Sequence, residues 1–312
     1  AKGCMHFHRD ILAICDTFNR YVLKPTKDDI FTGSPPIAFT FGMGALVTFP
    51  MHVGASTLLV EQYNPEIILR TIQEKKISIL FTAPTAYRAM TEIVDRYDIS
   101  SLKQCISAGE TLPLPTWQGW FDKTSIRTID GIGSTEMLHI FIGCTGADIR
   151  PGATGKPIPG YQAQVMDENG RELPPGTVGR LAVRGPTGCR YLDNPERQAA
   201  YVQGGWNFTG DSYLMDQDGY FWYQARTDDM IVSAGYNISG PEVETVLLEH
   251  PKVLECAVVA APDSGRGNIV KAEGVLRDKA AASPATVKER QDFVKAEIAP
   301  YKYPRAIEFR SE

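Results

Sequence analysis

The 312-residue chain is 43% hydrophobic and 22% charged, the balance of an ordinary folded globular protein long enough for two domains. Its formal net charge of −5 argues against nucleic acid as a principal partner, because phosphate binding favours a basic face. No run approaches the roughly 18 apolar residues of a membrane helix, and the six cysteines, at 4, 15, 105, 144, 189 and 256, include no C-x-x-C.

Such scattered thiols predict reduced cysteines in a cytoplasmic protein rather than a disulfide framework. The opening residues, "AKGCMHFHRD", lack the apolar core of a signal peptide. His6 and His8 could form a metal pair on a strand, but no Cys or carboxylate partner accompanies them, and a structural role is expected.

Residues 10 to 23 follow a helical period, with Ile11, Leu12, Ile14, Cys15, Phe18, Val22 and Leu23 on one broad face. "NPEIILRTIQEKK", 64 to 76, predicts a helix with Asn64 as N-cap and Pro65 in the first helical position. A buried-type strand, "ISILFTA", follows at once. Next come a helix from about Thr85 to Tyr97, the strand "QCISAG", a helix at "PTWQGWF" and the strand "SIRTID". This alternation predicts βαβ units and a mostly parallel sheet, in which ligands sit beyond the carboxyl ends of strands. "SAGE" (Ser107 to Glu110) and "GIGSTE" (Gly131 to Glu136) fall at two such ends.

From 151 the texture changes to turns and short strands, "YQAQVMD", "GRLAVRG" and "GYFWYQA", which predict a β subdomain over about 151–226. After Arg226 come a helix, "PEVETVLLEH", with Pro241 at its start, two strands and a Ser-capped helix. The class predicted is α/β. Residues 1–226 form part of a large domain, a mostly parallel sheet with helices plus the β subdomain, and 227–312 form a small, incomplete α+β domain.

The generic nucleotide motifs fail. "GIGSTE" starts like a dinucleotide fingerprint but ends in Glu136, Pro157 follows the lysine of "GATGKP", and no G-x-S-x-G elbow is present. Small residues let a backbone approach a ligand, hydroxyls can meet phosphate, and a carboxylate can hold a hard cation.

Taken in order, "AKG", "SAGE", "GIGSTE", "GATGKPIPG", "TGD" (209 to 211) and "ARTDDMIVSAGYNISGPEVE" (225 to 244) resemble the adenylate-forming superfamily. That superfamily contains acyl-CoA synthetases, firefly luciferase and peptide-synthetase adenylation domains. "FTGSPPIAFTFGMGALVTFP" is further similar to the aryl-CoA ligase branch, notably benzoate and 2-aminobenzoate CoA ligases. The resemblance implies that a carboxylate attacks the α-phosphate of ATP, giving acyl-AMP, and that coenzyme A then displaces AMP to give a thioester. It implies ATP/AMP, Mg²⁺ and CoA as cofactors, a small carboxylic acid as partner, and neither nucleic acid nor membrane.

By the same resemblance Thr135, Glu136 and Lys2 are catalytic, with Thr135 on the α-phosphate and Glu136 holding Mg²⁺. Ser107, Ala108, Gly109, Glu110, Asp130, Gly131, Ile132, Gly133 and Ser134 border the nucleotide, and Asp211 and Arg226 meet the ribose. Phe39, Phe41, Ala108, Ile132 and Gly133 line an aryl pocket, although Phe39 and Phe41 also suit ordinary core packing. Asp228 is the hinge of a mobile small domain, and Gly235 and Tyr236 belong to the CoA-side loop. The chain begins just after the family's phosphate loop and stops just short of its Gly-Lys motif, so a fragment inactive on its own is expected. Two other readings stand beside this one: a peptide-synthetase adenylation domain, and a non-catalytic adenylate-binding or interaction module.

Overall fold

The computed structural model describes residues 3–233, 236–263, 266–278 and 282–310, and of Asp228 and Asn237 the backbone alone. The chain divides into two compact units. The first comprises Ala1–Thr209 and Leu214–Tyr223, the second Gly210–Tyr213 and Gln224–Glu312.

The first unit is built on a seven-stranded sheet in the spatial order Ser56–Thr57, Ile30–Gly33, Ile79–Thr82, Gln104–Ser107, Ile129–Gly133, Ile140–Gly143, Lys156–Pro157. The first five strands are parallel and the last two join antiparallel. The central strands Ile30–Gly33, Ile79–Thr82 and Gln104–Ser107 are buried along nearly their whole length, as parallel strands are when both faces of a sheet are covered. The helix Pro65–Lys75 starts where the sequence places it: the Asn64 side chain accepts the Ile67 N–H at 2.8 Å, a cap that contributes about 1 kcal/mol. Ile68, Leu69 and Ile72 on its inner face pack with Tyr87, Met90 and Trp120. The Trp120 ring meets Tyr87 edge-on at 5.3 Å. Asp29, buried ahead of the strand Ile30–Gly33, accepts hydrogen bonds from the Thr26 N–H, Ser78 Oγ and Lys103 Nζ at 2.8–2.9 Å, so its charge is fully met.

Three local expectations are corrected. The segment 10 to 23 is helical, but it is α-helical only over His8–Ile14 and continues as a π-helix over Cys15–Leu23. Leu12, placed on the broad apolar face, is 61% exposed; it lies in the α-helical part, where about 100° per residue points it nearly opposite to the buried Ile14. The helix expected from Thr85 to Tyr97 ends at Thr91, with a 3₁₀ turn at Val94–Arg96. The strand read at Ser125–Asp130 lies instead at Ile129–Gly133, so "GIG" is strand rather than loop.

The β subdomain carries Gln162–Met166 and Val178–Arg184 as an antiparallel pair, and its sheet also holds Trp206–Met215 and Phe221–Arg226. Asp167 shapes the "ENG" turn by accepting the Asn169 and Arg171 N–H groups. In the second unit, the strands Val253–Asp263 and Gly267–Leu276 pair antiparallel, and Ala306–Phe309 runs parallel to the latter. Helices Gly240–Glu249 and Pro284–Glu297, capped by Ser239 and Ser283, bury Val243, Leu247 and Val294 against Val258, Val270 and Ala272.

Candidate functional site

The strands Gln104–Ser107 and Ile129–Gly133 are parallel neighbours, with Ser107 opposite Asp130, so "SAGE" and "GIGSTE" leave the sheet side by side. A cavity of about 560 Å³ opens there. Ala108–Glu110 and Gly133–Thr135 form its polar rim. Phe39–Phe41, Ser34–Pro36, His139 and Ile140 form its apolar wall.

Of the five pocket residues read from the sequence, Phe39, Phe41, Ala108 and Gly133 line this cavity; Ile132 does not. Core packing does not account for Phe39, which is 64% exposed. Among the rim residues, Ser107, Asp130 and Gly131 lie behind the lining rather than on it. Ser107 is fully buried, with its Oγ unpartnered. Gly133 is a glycine for packing: a Cβ there would meet the His139 carbonyl at 2.8 Å and the Ile140 nitrogen at 2.9 Å. The Ser134 hydroxyl accepts the Met137 N–H at 3.1 Å and shapes the turn. Thr135, exposed, leaves its hydroxyl available to the cavity.

Glu136 is held from the side. Tyr191 donates its hydroxyl to Glu136 Oε1 at 2.5 Å, across 55 residues of chain. Burial, and then this bond, push the Tyr191 phenol above its ordinary range, so the tyrosine keeps its proton. His139 sits at the base of the cavity among Phe18, Phe41 and Phe49, with ring centroids 4.6–5.9 Å away. It is 2% exposed and neither ring nitrogen meets a partner in good hydrogen-bond geometry. Burial, against a weaker pull from the Phe41 backbone, pushes the imidazole down to about 3. The ring is therefore neutral, with one donor and one acceptor. Its place depends on the hairpin between Ile129–Gly133 and Ile140–Gly143, which no local pattern in the sequence marks.

Asp130 is a partly exposed residue whose Oδ1 is sealed from solvent without a partner. Burial, opposed by the Gly131 N–H, pushes its carboxyl up to about 8. The unfolded chain, with a carboxyl near the ordinary value of about 4, holds fewer protons than the native one between those two values. Stability therefore falls as pH rises from about 4 to about 8. Asp130→Asn, which never ionises, should gain Tm over the unsubstituted protein as pH is raised from 5 to 8. Melting curves across that range check it, and a Tm difference independent of pH would contradict it.

In the second unit, Asp211 and Arg226 are ion-paired, Nη1 to Oδ1 at 2.9 Å, with Asp211 buried. Asp228 lies in the 3₁₀ turn Thr227–Asp229. Tyr236 opens the strand Tyr236–Ile238, and its exposed ring stacks on Tyr301 at 4.6 Å. Lys2 and Gly235 lie outside the described residues. Among the described residues no group of three or more His, Cys, Asp or Glu side chains could hold a metal ion, and no helix is long and apolar enough to cross a membrane.

Residues 1–190 match the AMP-binding enzyme family, and 242–312 match the AMP-binding enzyme C-terminal domain. The benzoate–CoA ligase of Thauera aromatica is 36% identical over 99% of this chain and 59% of its own length. The mitochondrial acyl-coenzyme A synthetase ACSM3 of Homo sapiens is 38% identical over 100% of this chain and 55% of its own. Among solved structures, the anthranilate CoA ligase AuaEII in complex with anthranoyl-AMP superposes with a TM-score of 0.94 at 38% identity, covering 100% of this chain and 61% of that one. A benzoate CoA ligase from Burkholderia xenovorans LB400 gives 0.92 at 34% identity, covering 100% of this chain and 63% of that one. The chain thus spans somewhat over half the length of the relatives it matches.

Proposed function

Because the chain belongs to the AMP-binding enzyme family, we propose that it supplies the acid- and phosphate-binding part of an ATP-dependent carboxylate–CoA ligase acting on an aromatic acid. The carrying observation is one cavity that joins an apolar wall of Phe39, Phe41, Pro35, Pro36 and His139 to a rim of small residues and the Thr135 hydroxyl. A flat ring suits the wall and an anion suits the rim. The names of relatives, benzoate and anthranilate ligases among them, support the aromatic choice.

The reaction needs no general base in its first half, since a carboxylic acid with pKa of about 4 is already ionised at neutral pH. One carboxylate oxygen bonds to the α-phosphorus and pyrophosphate leaves. In the second half the CoA sulfur, its proton lost, bonds to the acyl carbon and AMP leaves. The chain's contribution is position and charge complementarity. Thr135 donates its hydroxyl to the α-phosphate, the Ala108–Glu110 backbone borders the adenine, and Asp211 and Arg226 serve the ribose. Glu136 fits Mg²⁺, which takes one or two carboxylates plus substrate phosphates rather than a cage of side chains; when bound, the ion supplies neutralisation of phosphate charge. Lys2 acts with this catalytic group. Rotation of the small domain about Asp228, bringing Gly235 and Tyr236 toward the acyl group, belongs to the same reading. The six free cysteines support a reducing compartment, which we read as the cytosol.

The test is release of AMP and pyrophosphate by the intact protein across aryl and alkyl acids. Benzoate or an aminobenzoate should be the best substrate. Turnover with alkyl acids alone, or with none, would overturn the proposal. His139→Ala should open the cavity base and raise KM for benzoate about tenfold, while favouring acids with an added ring substituent. Steady-state kinetics with benzoate and its substituted relatives check this; an unaltered preference would contradict it.

A further inference from the structure

The reading above gives the α-phosphate to Thr135, and the inference rests on it: whatever holds the Thr135 backbone sets where its hydroxyl stands. We propose that His6 is a positioning residue for Thr135. Its Nε2 lies 2.7 Å from the Thr135 carbonyl, across 129 residues of chain. A carbonyl only accepts, so Nε2 carries the hydrogen. On the other side Nδ1 faces Asp10 Oδ2 at 3.3 Å. Asp10 is itself fixed, because the same oxygen accepts the Phe7 N–H at 3.0 Å and the residue is buried. The imidazole thus stands between a fixed carboxylate and the turn that carries Thr135 and Glu136, with the Nε2–H bond reaching the turn.

Two observations separate this from a purely structural contact. First, neither acceptor needs His6. Asp10 keeps the Phe7 N–H, and the Thr135 carbonyl keeps the Leu138 N–H at 3.3 Å. Removing the ring orphans no buried acceptor, so the fold does not depend on it. Second, the turn is under strain. Leu138, a buried non-glycine residue, stands at φ 70° in the left-handed region, a conformation that persists only where surroundings impose it. The His6 bond is such an outside hold, placed on the residue that meets the phosphate. The metal-pair alternative falls away: His8 begins a helix, and both nitrogens of His6 face the acceptors just named.

The experiment compares His6→Ala and His6→Gln with the unsubstituted intact protein. Hydrogen exchange over residues 133–139 reads the turn, and acid-dependent pyrophosphate exchange reads the chemistry. His6→Ala should speed exchange at the Met137 and Leu138 amides about fivefold or more. It should lower kcat about tenfold to a hundredfold with KM for ATP within about threefold, the signature of misplacement rather than lost binding. His6→Gln, whose amide nitrogen can take the place of Nε2, should recover part of both. Unchanged exchange in the Ala variant, an unchanged kcat beside a loosened turn, or a Gln variant no better than Ala would each overturn the proposal. So would failure of His6→Ala to fold, since both acceptors have backbone donors without it. If the unsubstituted protein exchanges no pyrophosphate with any acid, the adenylation reading fails, and hydrogen exchange still decides whether His6 holds the turn.

Discussion

Glu136→Gln should lower kcat for adenylate formation by about 10²- to 10³-fold, the range seen when one charge-stabilising group is removed from a site of this kind. The substitution keeps the side chain's volume and an oxygen to accept the Tyr191 hydroxyl, which stands 2.5 Å from the carboxylate. Only the negative charge is lost. If the carboxylate serves a cation beside the phosphates, the Gln variant is nearly as poor as Glu136→Ala, although Ala alone leaves the Tyr191 hydroxyl without that acceptor. If Glu136 merely anchors Tyr191, the Gln variant works and Ala does not. Tyr191→Phe separates the two further, with an expected loss of less than about tenfold, because the carboxylate and its charge stay in place and only its lateral hydrogen bond is lost. Pyrophosphate exchange beside a melting curve for each variant makes the comparison, with Tm for the Gln variant expected within about 2–4 °C of the unsubstituted protein.

The second large effect is structural. Gly42→Ala should destabilise by about 2–4 kcal/mol and impair acid binding together. A Cβ at Gly42 would meet the Pro36 carbonyl oxygen at 2.1 Å and the Pro35 carbonyl oxygen at 2.6 Å. These are backbone atoms in a stretch stiffened by two prolines, so neither can rotate aside. Gly42 lies in the helix Thr40–Met43, and both sides of the contact, Pro35–Pro36 and Phe39–Phe41, line the cavity. Pushing them apart spoils the wall that the acid needs, so KM for the acid should rise about tenfold with the fall in stability. Gly119→Ala is the control. It sits inside the helix Leu114–Thr124, where its Cβ would find only an ordinary contact at 3.6 Å with the Thr91 methyl. There the gain in helix propensity, about 1 kcal/mol, should make Ala neutral or stabilising. Denaturant unfolding of the two variants tests the contrast; equal effects would mean that the Pro35–Pro36 contact is not what Gly42 is for.

The features legible in the sequence share a physical trait: they are encoded within a few residues. Asn64 and Pro65 announce a helix start because capping is a contact three residues long, and the run Ile79–Thr82 announces a buried strand because three apolar residues stand in a row, ahead of a threonine that is buried with them. The αL cap at Lys76, which ends the same helix, had no glycine to signal it. The family resemblance picked out Thr135, Ala108–Glu110, Phe39 and Phe41, which the structure brings to one cavity although no local rule joins them. What stayed illegible was set by distant chain. His139 lies three residues beyond Glu136, yet its burial among Phe18, Phe41 and Phe49 depends on a hairpin and two helices closing over it. Tyr191 and His6, which hold Glu136 and Thr135, reach them across 55 and 129 residues. Leu12 misled for another reason: it was counted on a face drawn too broad, and in the α-helical His8–Ile14 it points nearly opposite to the buried Ile14. Gly133 does line the cavity, but its lack of a Cβ also answers to the His139 and Ile140 backbone, a packing demand that the sequence did not show.

The central claim, that one cavity of the first unit holds an aromatic acyl group against a phosphate, is open to one direct measurement. A crystal structure of the intact protein with a non-hydrolysable aryl-adenylate should show the ring between Phe39, Phe41 and His139 and a phosphate oxygen within hydrogen-bond reach of Thr135. Density for the adenylate elsewhere, with that cavity filled only by water, would contradict it.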